Sequence, residues 1–444
     1  MPGFAEQFAE AVHGAGGRAL EAGGAVRDRL LSRPHRDVDL EVYGLEAPEL
    51  EAVIARFGRV RRVGARLGVY VLKGVEVALP QGPDGVEDPR LTPERAARRR
   101  DLTINALLRD PRTGEILDFH HGREDLARRR LRHVDPDTFA EDPLRVLRVA
   151  RLHAELGFRI DPATAALCRR LSLHGVAWER IGQELERWLL GASRPGRGMD
   201  GLLYTGAERH FPFLAALLGC PVAGTGAGAD AWARTRAVLD AAARRRVEER
   251  ERDWPLMLAA LLQSLGRPDA TFRHPGRAPT APGHAAVAAG KAALWLRGVD
   301  RGQRRARTVR ALLREQGAVN ALAAARAGRP DYRRLACRVD TDLLLRLAEA
   351  LHEAEAPGSS GYPAGEQARA IWSAEGLLGR APEPLLAGRD LQALGVPAGP
   401  GLGRWLETAF EAQLDGQFAS REAGLAWLRD RLEEGGPPER PSEA

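Results

Sequence analysis

The sequence predicts an α/β head with a small mixed sheet, followed by a long all-α region. Short apolar runs that alternate with polar residues occur in about the first 120 residues. After about Leu126 the pattern changes, because Leu, Ala and Arg recur at helical spacing almost to the end. A chain of 444 residues is long enough for about two to four domains and a sizeable core.

The head contains the strand signals. Strands are predicted at Arg18–Ala22, Asp37–Tyr43, Gly68–Leu72, Val75–Leu79 and Glu115–Phe119. The third and fourth strands form a hairpin candidate, since the Lys73-Gly74 pair between them suits a tight turn. After the first strand, Gly23-Gly24 opens a predicted short helix over Ala25–Leu31.

The helical region is divided by segments rich in Gly, Pro and Ala. These segments are Gly191–Gly198, Val222–Asp230, Arg273–Gly283 and Ala356–Gly365. The predicted domains are a head (1–126), a helical neck (127–195), a helical body (196–355) and a helical tail (366–432). Residues 433–444 are rich in Pro, Glu and Gly and are predicted to be disordered.

The charge balance favours a polyanionic partner. The formal net charge is +6 and the pI is near 9.7, which suits binding to nucleic acid. Two predicted helices, Ala241–Arg252 and Arg301–Arg314, are strongly basic. Each presents either a solvated charged face or a surface that contacts phosphate groups.

Cysteine usage and hydropathy indicate the compartment. Cys168, Cys220 and Cys337 are widely spaced and form no zinc or redox motif, which suggests a reducing cytoplasm. The first residues show no secretory signal pattern, and no apolar run reaches membrane length. We therefore expect a soluble cytoplasmic protein without a membrane partner.

Two aspartates lie on the second predicted strand. Side chains alternate along a strand, so Asp37 and Asp39 point the same way, with Cα atoms roughly 6–7 Å apart. Val38, Leu40 and Val42 then face the core. Paired carboxylates suit Mg²⁺, which is commonly bound by one or two carboxylates and substrate phosphates. Alternatively, the pair is a solvated strand end.

The glycine pair before the short helix suits a phosphate group. Gly23 and Gly24 let the backbone approach an anion, and free N–H groups at a helix start attract phosphate. Arg27, one turn later, could add a forked contact to a triphosphate. A plain turn is the alternative, because glycine is a common turn residue.

A second polar cluster spans Arg99–Leu107. Its two arginines, Arg99 and Arg100, suit triphosphate oxygens, while Asp101 and Asn105 can hold ribose hydroxyl groups. A solvated basic run over Arg98–Arg100 is the alternative.

A third cluster follows Pro143, which suits a first helical turn. Asp142, Arg145, Arg148 and Arg151 recur every three residues and so lie near one helix face. A carboxylate and a guanidinium can pair with the amino group and ring nitrogen that C and A share, while G and U present a carbonyl there. An intrahelical Asp–Arg pair is the alternative.

These clusters resemble motifs of the class II tRNA nucleotidyltransferase and poly(A) polymerase family, within the DNA polymerase β-like superfamily. Arg-Arg-Asp-Leu-Thr-Ile-Asn-Ala (99–106) and Glu-Asp-Pro-Leu-Arg (141–145) carry the resemblance most specifically. Asp118–Leu126 and Glu179–Leu185 resemble its neck motifs. The resemblance is strong over residues 19–190 and weak over about 385–430. It implies a polymerase β-like nucleotidyltransferase head followed by an all-α neck, body and tail.

The resemblance also implies roles for individual residues. Asp37 and Asp39 are the implied catalytic pair and Mg²⁺ ligands. The implied nucleotide-binding residues are Gly24, Arg27, Arg100, Asp101, Asn105, Asp142, Arg145, Arg148 and Arg151. Asp142 and Arg145 would select the base. The implied partners are CTP, ATP in the case of full synthesis, and the acceptor and T arms of tRNA.

Departures from the family pattern narrow the expectation. The run Gly64–Val71 resembles the tRNA nucleotidyltransferase form rather than the poly(A) polymerase form, and Gln81 replaces a common arginine. Only 17 residues separate Gln81 from Arg99, which resembles the branch that adds CC without the terminal A. Glu76 is either a third metal ligand or an arginine partner. We expect C addition with poor A addition; the alternatives are a poly(A) polymerase and a catalytically inactive tRNA-binding protein.

Overall fold

The computed structural model describes residues 3–34, 38–58, 61–63, 68–82, 86–223, 230–273, 277–300, 302–359 and 361–434, with only the backbone for 61–63. The chain divides into two compact units, Met1–Pro212 and Phe213–Ala444. The finer division into head, neck, body and tail stays a prediction.

The first unit contains a seven-stranded sheet. Its strands are β1 (Arg18–Ala22), β2 (Val38–Tyr43), β3 (Arg61–Val63), β4 (Val69–Leu72), β5 (Val75–Ala78), β6 (Leu108–Arg109) and β7 (Ile116–Leu117). Their order across the sheet is β3-β4-β5-β2-β1-β6-β7. Because β2 pairs antiparallel with β1 and parallel with β5, the sheet is mixed, as predicted.

Strand β2 separates the core from the functional face. Leu40 and Val42 are buried, and Val38 packs against the same core, as the alternation predicts. Two helices, α1 (Phe4–Gly14) and α3 (Ala47–Ala55), supply the other side of this core. The opposite face carries Asp39 and Glu41 beside a second, smaller apolar cluster that includes Leu20 and Ala22.

The first unit also contains a layer of helices, some of which lie between the strands in sequence. Besides α1 and α3 its helices are α2 (Gly24–Leu30), α4 (Pro93–Arg98), α5 (Gly122–Ala127), α6 (Pro136–Ala140), α7 (Arg145–Leu156), α8 (Pro162–Arg170), α9 (Trp178–Gly191) and α10 (Gly196–Thr205). Thr103–Asn105 and Ala207–His210 form 3₁₀ turns, and β8 (Arg130–Leu131) pairs parallel with β9 (Arg159–Ile160).

Helix α7 is the best-packed helix of this layer. Its apolar positions, Val146 and Val149 among them, are buried against α9 and α10. The helix ends at Gly157, whose φ of 69° closes the last turn in a conformation that glycine adopts without strain. One face of α7 is thus fixed in the core, and the other is free to carry arginines.

The second unit is helical throughout its described part. From Pro212 onward its helices are α11 (Pro212–Ala215), α12 (Ala231–Ala243), α13 (Arg250–Leu262), α14 (Arg267–Ala270), α15 (His284–Val299), α16 (Gln303–Glu315), α17 (Ala318–Ala324), α18 (Arg329–Arg338), α19 (Thr341–Glu355), α20 (Pro363–Ala374), α21 (Gly388–Ala393), α22 (Pro400–Leu414) and α23 (Arg421–Glu433). Helix α13 is buried from Asp253 onward and packs against α12, α16 and α19. None of the described helices is long and apolar enough to cross a membrane.

Some elements differ from the sequence expectation. The predicted helix Ala241–Arg252 is wrong, because α12 ends at Ala243 and α13 begins at Arg250. Glu248, between them, adopts a φ of 62°, which a continuous helix does not allow. Of the segment predicted to be disordered, residues 435–444 lie outside the described part of the chain.

Candidate active site

A cleft of about 980 Å³ lies in the first unit, between the polar face of the sheet and helix α7. Among the predicted site residues, those that line it are Gly24, Arg27, Asp39, Arg100, Asp101, Asn105, Arg145, Arg148 and Arg151. Asp142 is not part of the lining, and Asp37 lies outside the described residues. The structure therefore brings together three clusters that are up to about a hundred residues apart in sequence.

Acidic side chains of β2 form the sheet wall of the cleft. Asp39 and Glu41, two residues apart, both line it. In the parallel β2–β5 pair Asp39 lies in register with Glu76, so these two side chains share a face of the sheet. Glu76 is exposed and does not line the cleft. It forms no ion pair with any residue that the structure describes, so the predicted arginine partner is not observed.

Glu41 is a site residue that the sequence interpretation missed. Its carboxylate pairs with Arg100 and accepts a 2.6 Å hydrogen bond from the Tyr43 hydroxyl. Burial, and then the nearby Glu41 carboxylate, raise the pKa of Tyr43 well above its usual value. The alternation from Asp37 through Asp39 continues to Glu41, and this signal could have identified it.

Gly23 allows Arg100 to approach the turn. It adopts a φ of 73°, and a Cβ placed there would lie 3.0 Å from Arg100 Nη1. Any other residue at position 23 would therefore be strained in its backbone and would press on the guanidinium. The guanidinium of Arg100 therefore lies between Gly23 and the Glu41 carboxylate, and it lines the cleft.

A buried chain of polar contacts crosses the floor of the cleft. Arg27 Nη1 donates to Asn105 Oδ1 at 2.8 Å, and Asn105 Nδ2 donates to Asp101 Oδ1 at 3.0 Å. Asp101 Oδ2 forms an ion pair with Arg148 Nε at 3.1 Å. Arg27 also makes a forked contact with Asp28. The glycine turn is thus connected to helix α7 through side chains that are predicted nucleotide contacts.

Asp101 is ionised over the whole physiological range. Burial opposes its charge, but Arg148, the Asn105 amide and the Leu102 N–H outweigh burial and lower the pKa of Asp101 to about 2. Its Oδ1 accepts hydrogen bonds from the Leu102 N–H and the Asn105 amide, whereas its Oδ2 is buried and has only the ion pair with Arg148, without a hydrogen bond. Binding of ribose by Asp101 and Asn105 stays a prediction.

Backbone carbonyl groups orient Arg145 on the helix wall. Its Nη1 and Nη2 donate to the carbonyl oxygens of Thr138 and Arg99, at 2.5 and 2.6 Å. Burial is the main cause of a lowered pKa for Arg145. A guanidinium has five N–H groups, so donors remain for a ligand in the cleft.

Asp142 pairs with a distant residue instead of with its own helix. Its Oδ2 accepts from Arg180 Nη2 at 2.8 Å, so the intrahelical Asp–Arg pair is not formed. Helix α7 begins at Arg145, later than Pro143 predicts, and Asp142 Oδ1 accepts from the Leu144 N–H at 3.3 Å in the preceding turn.

Two glutamates hold Arg151. Its Nε donates to Glu184 at 2.8 Å, and its Nη1 donates to Glu155 at 2.9 Å. Burial disfavours the charge of Arg151, but the two carboxylates raise its pKa. Glu184 and Arg180 both belong to the motif Glu179–Leu185, so helix α9 supports Asp142 in the turn before α7 and Arg151 in the middle of α7.

Known proteins are similar to this chain both in sequence and in structure. Residues 20–132 match the family model described as the poly A polymerase head domain. A multifunctional CCA protein of Xanthomonas campestris is 41% identical over 219 residues, which cover 45% of this chain and 52% of the relative. One from Halorhodospira halophila is 38% identical over 279 residues, 57% of this chain and 64% of that protein.

Solved structures match over nearly the whole chain. The Bacillus stearothermophilus CCA-adding enzyme in complex with CTP has a TM-score of 0.66 and 26% identity, with 97% of each chain covered. The head of the chain, residues 20–132, is thus similar to the class II tRNA nucleotidyltransferase and poly(A) polymerase family. The Thermotoga maritima CCA-adding enzyme complexed with tRNA, at 20% identity and a TM-score of 0.58 over 96% of this chain and 94% of that one, shares the fold.

The similarity in sequence covers only part of the chain. The chain spans about half the length of the curated Xanthomonas relative. All residues that line the cleft and precede position 133, Gly23 to Asn105, lie within the head-domain match. The arginines of α7 lie beyond it.

The acidic wall of the cleft suits a hard divalent cation. No group of three or more His, Cys, Asp and Glu side chains in metal-binding geometry occurs among the described residues, which do not include Asp37. Asp39 and Glu41 supply oxygen donors only, the type that Mg²⁺ prefers. The donor chemistry therefore fits the predicted ion.

Two further arginines line the cleft: Arg99, which the sequence groups with Arg100 as a candidate for triphosphate contact, and Arg187, which had no predicted role. Arg99 pairs with Glu141 at 2.7 Å, and Arg187 approaches Glu184 at 3.3 Å while 62% of its side chain stays exposed. Arg187 lies on α9, outside the clusters that the sequence singles out. Helical spacing alone gives no signal for it, because the cleft contact depends on how α9 packs against α7.

The short segment after Gln81 is folded back on itself. The Gly82 N–H donates to Val86 O at 2.8 Å, and the Asp88 N–H donates to Pro80 O at 2.8 Å. Thr92 Oγ1 then caps α4 by accepting from the Arg95 N–H. Residues 83–85 lie outside the described part. The described residues on both sides of it are thus tied by local hydrogen bonds.

Proposed function

We propose that this protein is a tRNA 3′-end nucleotidyltransferase that works without a nucleic-acid template. The observation that supports this most directly is the cleft itself. It places an acidic strand opposite arginines that suit a triphosphate, next to a helix that carries base-reading candidates. The names of the relatives support the same chemistry, since they are CCA proteins and CCA-adding enzymes.

The sheet wall would carry out the chemistry. Asp37 and Asp39 would hold Mg²⁺, with Glu41 two residues after Asp39 on β2. When bound, the ion stabilises negative charge on the transferring phosphate and the leaving pyrophosphate. Arg27 and Arg100 would hold the triphosphate in line with the RNA 3′-hydroxyl, so that positioning and charge stabilisation provide most of the catalysis.

The helix wall would select the base. Arg145 is oriented by two backbone carbonyl groups and keeps unused donors for a ring nitrogen. Asp142 would accept from the exocyclic amino group, which requires its release from Arg180. C and A offer this pair of groups, whereas G and U leave the buried polar atoms unpaired. Arg148 and Arg151 would be additional nucleotide contacts on the same face.

The RNA partner would be tRNA, bound through shape and phosphate charge. A net charge of +6 supports a polyanionic partner. The acceptor and T arms are the proposed contact regions, because the reacting 3′ end lies on the acceptor arm. A poly(A) polymerase would instead extend an unrelated RNA with ATP alone.

For the product, we propose full CCA addition, which the names of the relatives favour over the CC-only expectation. CC-only addition is the second candidate. It is supported by the short segment between Gln81 and Arg99, whose hydrogen bonds leave little chain to reshape the pocket after two C additions.

Incubation of tRNA lacking its last three nucleotides with CTP, ATP or both, followed by sequencing of the 3′ ends, tests the proposal. We expect CC with CTP alone and CCA with both nucleotides. Ends that stop at CC with both nucleotides would select the CC-only candidate. Poly(A) products would select the polymerase alternative, and no extension at all would leave a catalytically inactive RNA-binding protein.

A further inference from the structure

Two basic segments of the second unit differ in how their charges are used. In residues 244–252 three of the arginines pair with acidic side chains of α19 and its cap. Arg244 pairs with Glu353, and Arg245 contacts Glu349 at 3.1 Å and Glu353 at 2.8 Å. Arg252 contacts Asp342 at 2.6 Å. This segment therefore joins helices within the unit.

Helix α16 shows the opposite arrangement. Arg304, Arg307, Arg310 and Arg314 form no ion pair with any described residue. At about 100° per residue, they fall within an arc of about 120° on the helix surface. Arg305 falls on the far side of the helix, where it is paired with Asp300 at 2.8 Å.

The apolar side of α16 explains why this arc faces outward. Val309, Leu312 and Leu313 are buried against the second unit, and they lie opposite the unpaired arginines. Arg304, Arg307 and Arg314 are exposed, so their charges face water. The helix thus has a fixed packing face and an unneutralised cationic face.

A groove extends this face onto the neighbouring helix. A cavity of about 430 Å³ between α15 and α16 is lined by Arg297, Arg307 and Arg310, with Ala293 and Ala306 among its apolar walls. Asp300 also lines it, but its oxygens are engaged by Arg305 and by the Trp254 N–H. The Arg310 Nε is buried and has no hydrogen-bond partner.

We propose that one arginine surface of the second unit binds the phosphodiester backbone of RNA. This surface, the α16 arginine face, consists of Arg304, Arg307, Arg310 and Arg314 on α16 together with Arg297 on α15. The charge is complementary, and the spacing along one helix suits successive phosphates rather than a single small anion. A surface of this kind positions a nucleic acid without reading its sequence. The inference rests on the proposed function, because the RNA concerned is the tRNA substrate.

The test compares two triple variants with the same loss of charge. Arg297→Gln/Arg304→Gln/Arg307→Gln removes unpaired charges from the face. Arg244→Gln/Arg369→Gln/Arg431→Gln, the matched control, removes exposed charges that are already paired with glutamates. The tRNA affinity of each protein is measured by fluorescence anisotropy from about 0.05 to 0.3 M salt, where counterion release dominates.

The face variant should lose on the order of a hundredfold in affinity at about 0.1 M salt, with a salt slope reduced by about two to three. The control should keep the affinity and the slope of the wild type. At saturating tRNA the face variant should keep its turnover and its KM for CTP, because the nucleotide cleft lies in the first unit. Its KM for tRNA should rise.

Two further measurements separate a loss of charge from a loss of folding. The corresponding triple lysine variant keeps the charges and should keep the salt slope, and each single Gln variant should lower the slope by about one. If the wild type binds tRNA and the face variant binds it equally well, this inference is overturned and the proposed function is not affected. A wild type that does not bind tRNA would overturn the proposed function and the inference together.

Discussion

The two walls of the cleft hold their charges in different ways. On the sheet wall Glu41 and Arg100 neutralise each other, and both line the cleft. On the helix wall Arg145 is oriented by backbone carbonyl groups, which add no opposing charge. A ligand at the sheet wall must therefore exchange partners with a carboxylate, whereas Arg145 on the helix wall offers donors that are already positioned. Arg148 and Arg151, on the same helix, are paired with carboxylates.

Because of this difference, substitutions on the two walls should impair different properties of the enzyme. Changes on the sheet wall should affect turnover and the grip on the triphosphate, because charge develops there during phosphoryl transfer. Changes on the helix wall should affect which base is accepted, because its donors are aimed by fixed contacts. The predictions below test this division, from the largest expected effect to the smallest.

Asp39→Asn should abolish nucleotide incorporation while tRNA binding persists. Loss of a carboxylate that would hold the catalytic cation costs several kcal/mol of transition-state stabilisation, which corresponds to about a thousandfold or more in rate. Single-turnover incorporation of CTP and tRNA affinity are the two measurements. Asp37→Asn is expected to behave in the same way.

Glu76→Gln is the matched control for Asp39→Asn. Glu76 lies in register with Asp39 on the neighbouring strand but is exposed and outside the cleft lining. It should keep most of the wild-type turnover. Near-normal incorporation by Asp39→Asn would contradict the assignment of the metal-binding strand, whereas an equal loss in Glu76→Gln would identify Glu76 as the third metal ligand.

Asp101→Asn should destabilise the first unit by about 2 kcal/mol at pH 7. The pKa of Asp101 is lowered from 3.8 to about 2 in the folded protein, so its stabilising contribution is complete above about pH 4. That contribution is lost as the pH falls from about 4 to 2. The variant and the wild type should therefore become more similar in stability below pH 4.

Hydrogen exchange of peptides from the first unit, measured at pH 7 and near pH 3, resolves this contribution from the second unit. Asn105→Ala is a useful companion, since it removes one neutral hydrogen bond to Asp101 and leaves the ion pair with Arg148. A stability difference between wild type and Asp101→Asn that does not change with pH would refute the ionic origin of the effect.

Asp142→Ala and Arg145→Ala should blur base choice more than they weaken triphosphate binding. The selectivity for CTP over UTP should fall by about 1–3 kcal/mol, comparable to a lost buried hydrogen-bond pair. The ratio of kcat/KM values for the two nucleotides measures it. Arg180→Gln releases Asp142 without touching the base, and so it should keep the selectivity. If both alanine variants kept normal selectivity, the helix wall would have only a packing role.

The sequence predicted local features well. The alternation around Asp39 correctly placed Leu40 and Val42 in the core, and the spacing of Arg145, Arg148 and Arg151 correctly placed them on one face. These features depend on the period of a strand or a helix, which neighbouring residues determine.

Long-range pairing could not be predicted in the same way. Asp142 pairs with Arg180 and Arg151 with Glu184, more than thirty residues away in each case, because α9 packs beside α7. The sequence alone does not indicate which of several arginines pairs with the Asp142 carboxylate. The break after Ala243 was also missed, since Arg and Glu at helical spacing continue through residues that do not form a helix.

Glu41→Gln should tighten triphosphate binding several-fold, the smallest effect expected here. The carboxylate lies beside the proposed triphosphate site and competes for Arg100. Two unit charges about 6 Å apart interact by about 3 kcal/mol at an effective dielectric constant of about 20, and solvent at the open cleft screens part of this. Gln keeps the shape and an acceptor for Tyr43 but removes the charge.

Equilibrium binding of CTP and inhibition by pyrophosphate measure this effect, and both should strengthen in Glu41→Gln. Tyr43→Phe is the control, because it removes the 2.6 Å hydrogen bond to Glu41 and leaves the carboxylate charge in place. Weaker CTP binding in Glu41→Gln would show the reverse of this expectation. The carboxylate would then serve to position Arg100 over Gly23, and the sheet wall would be preorganised in the same way as the helix wall.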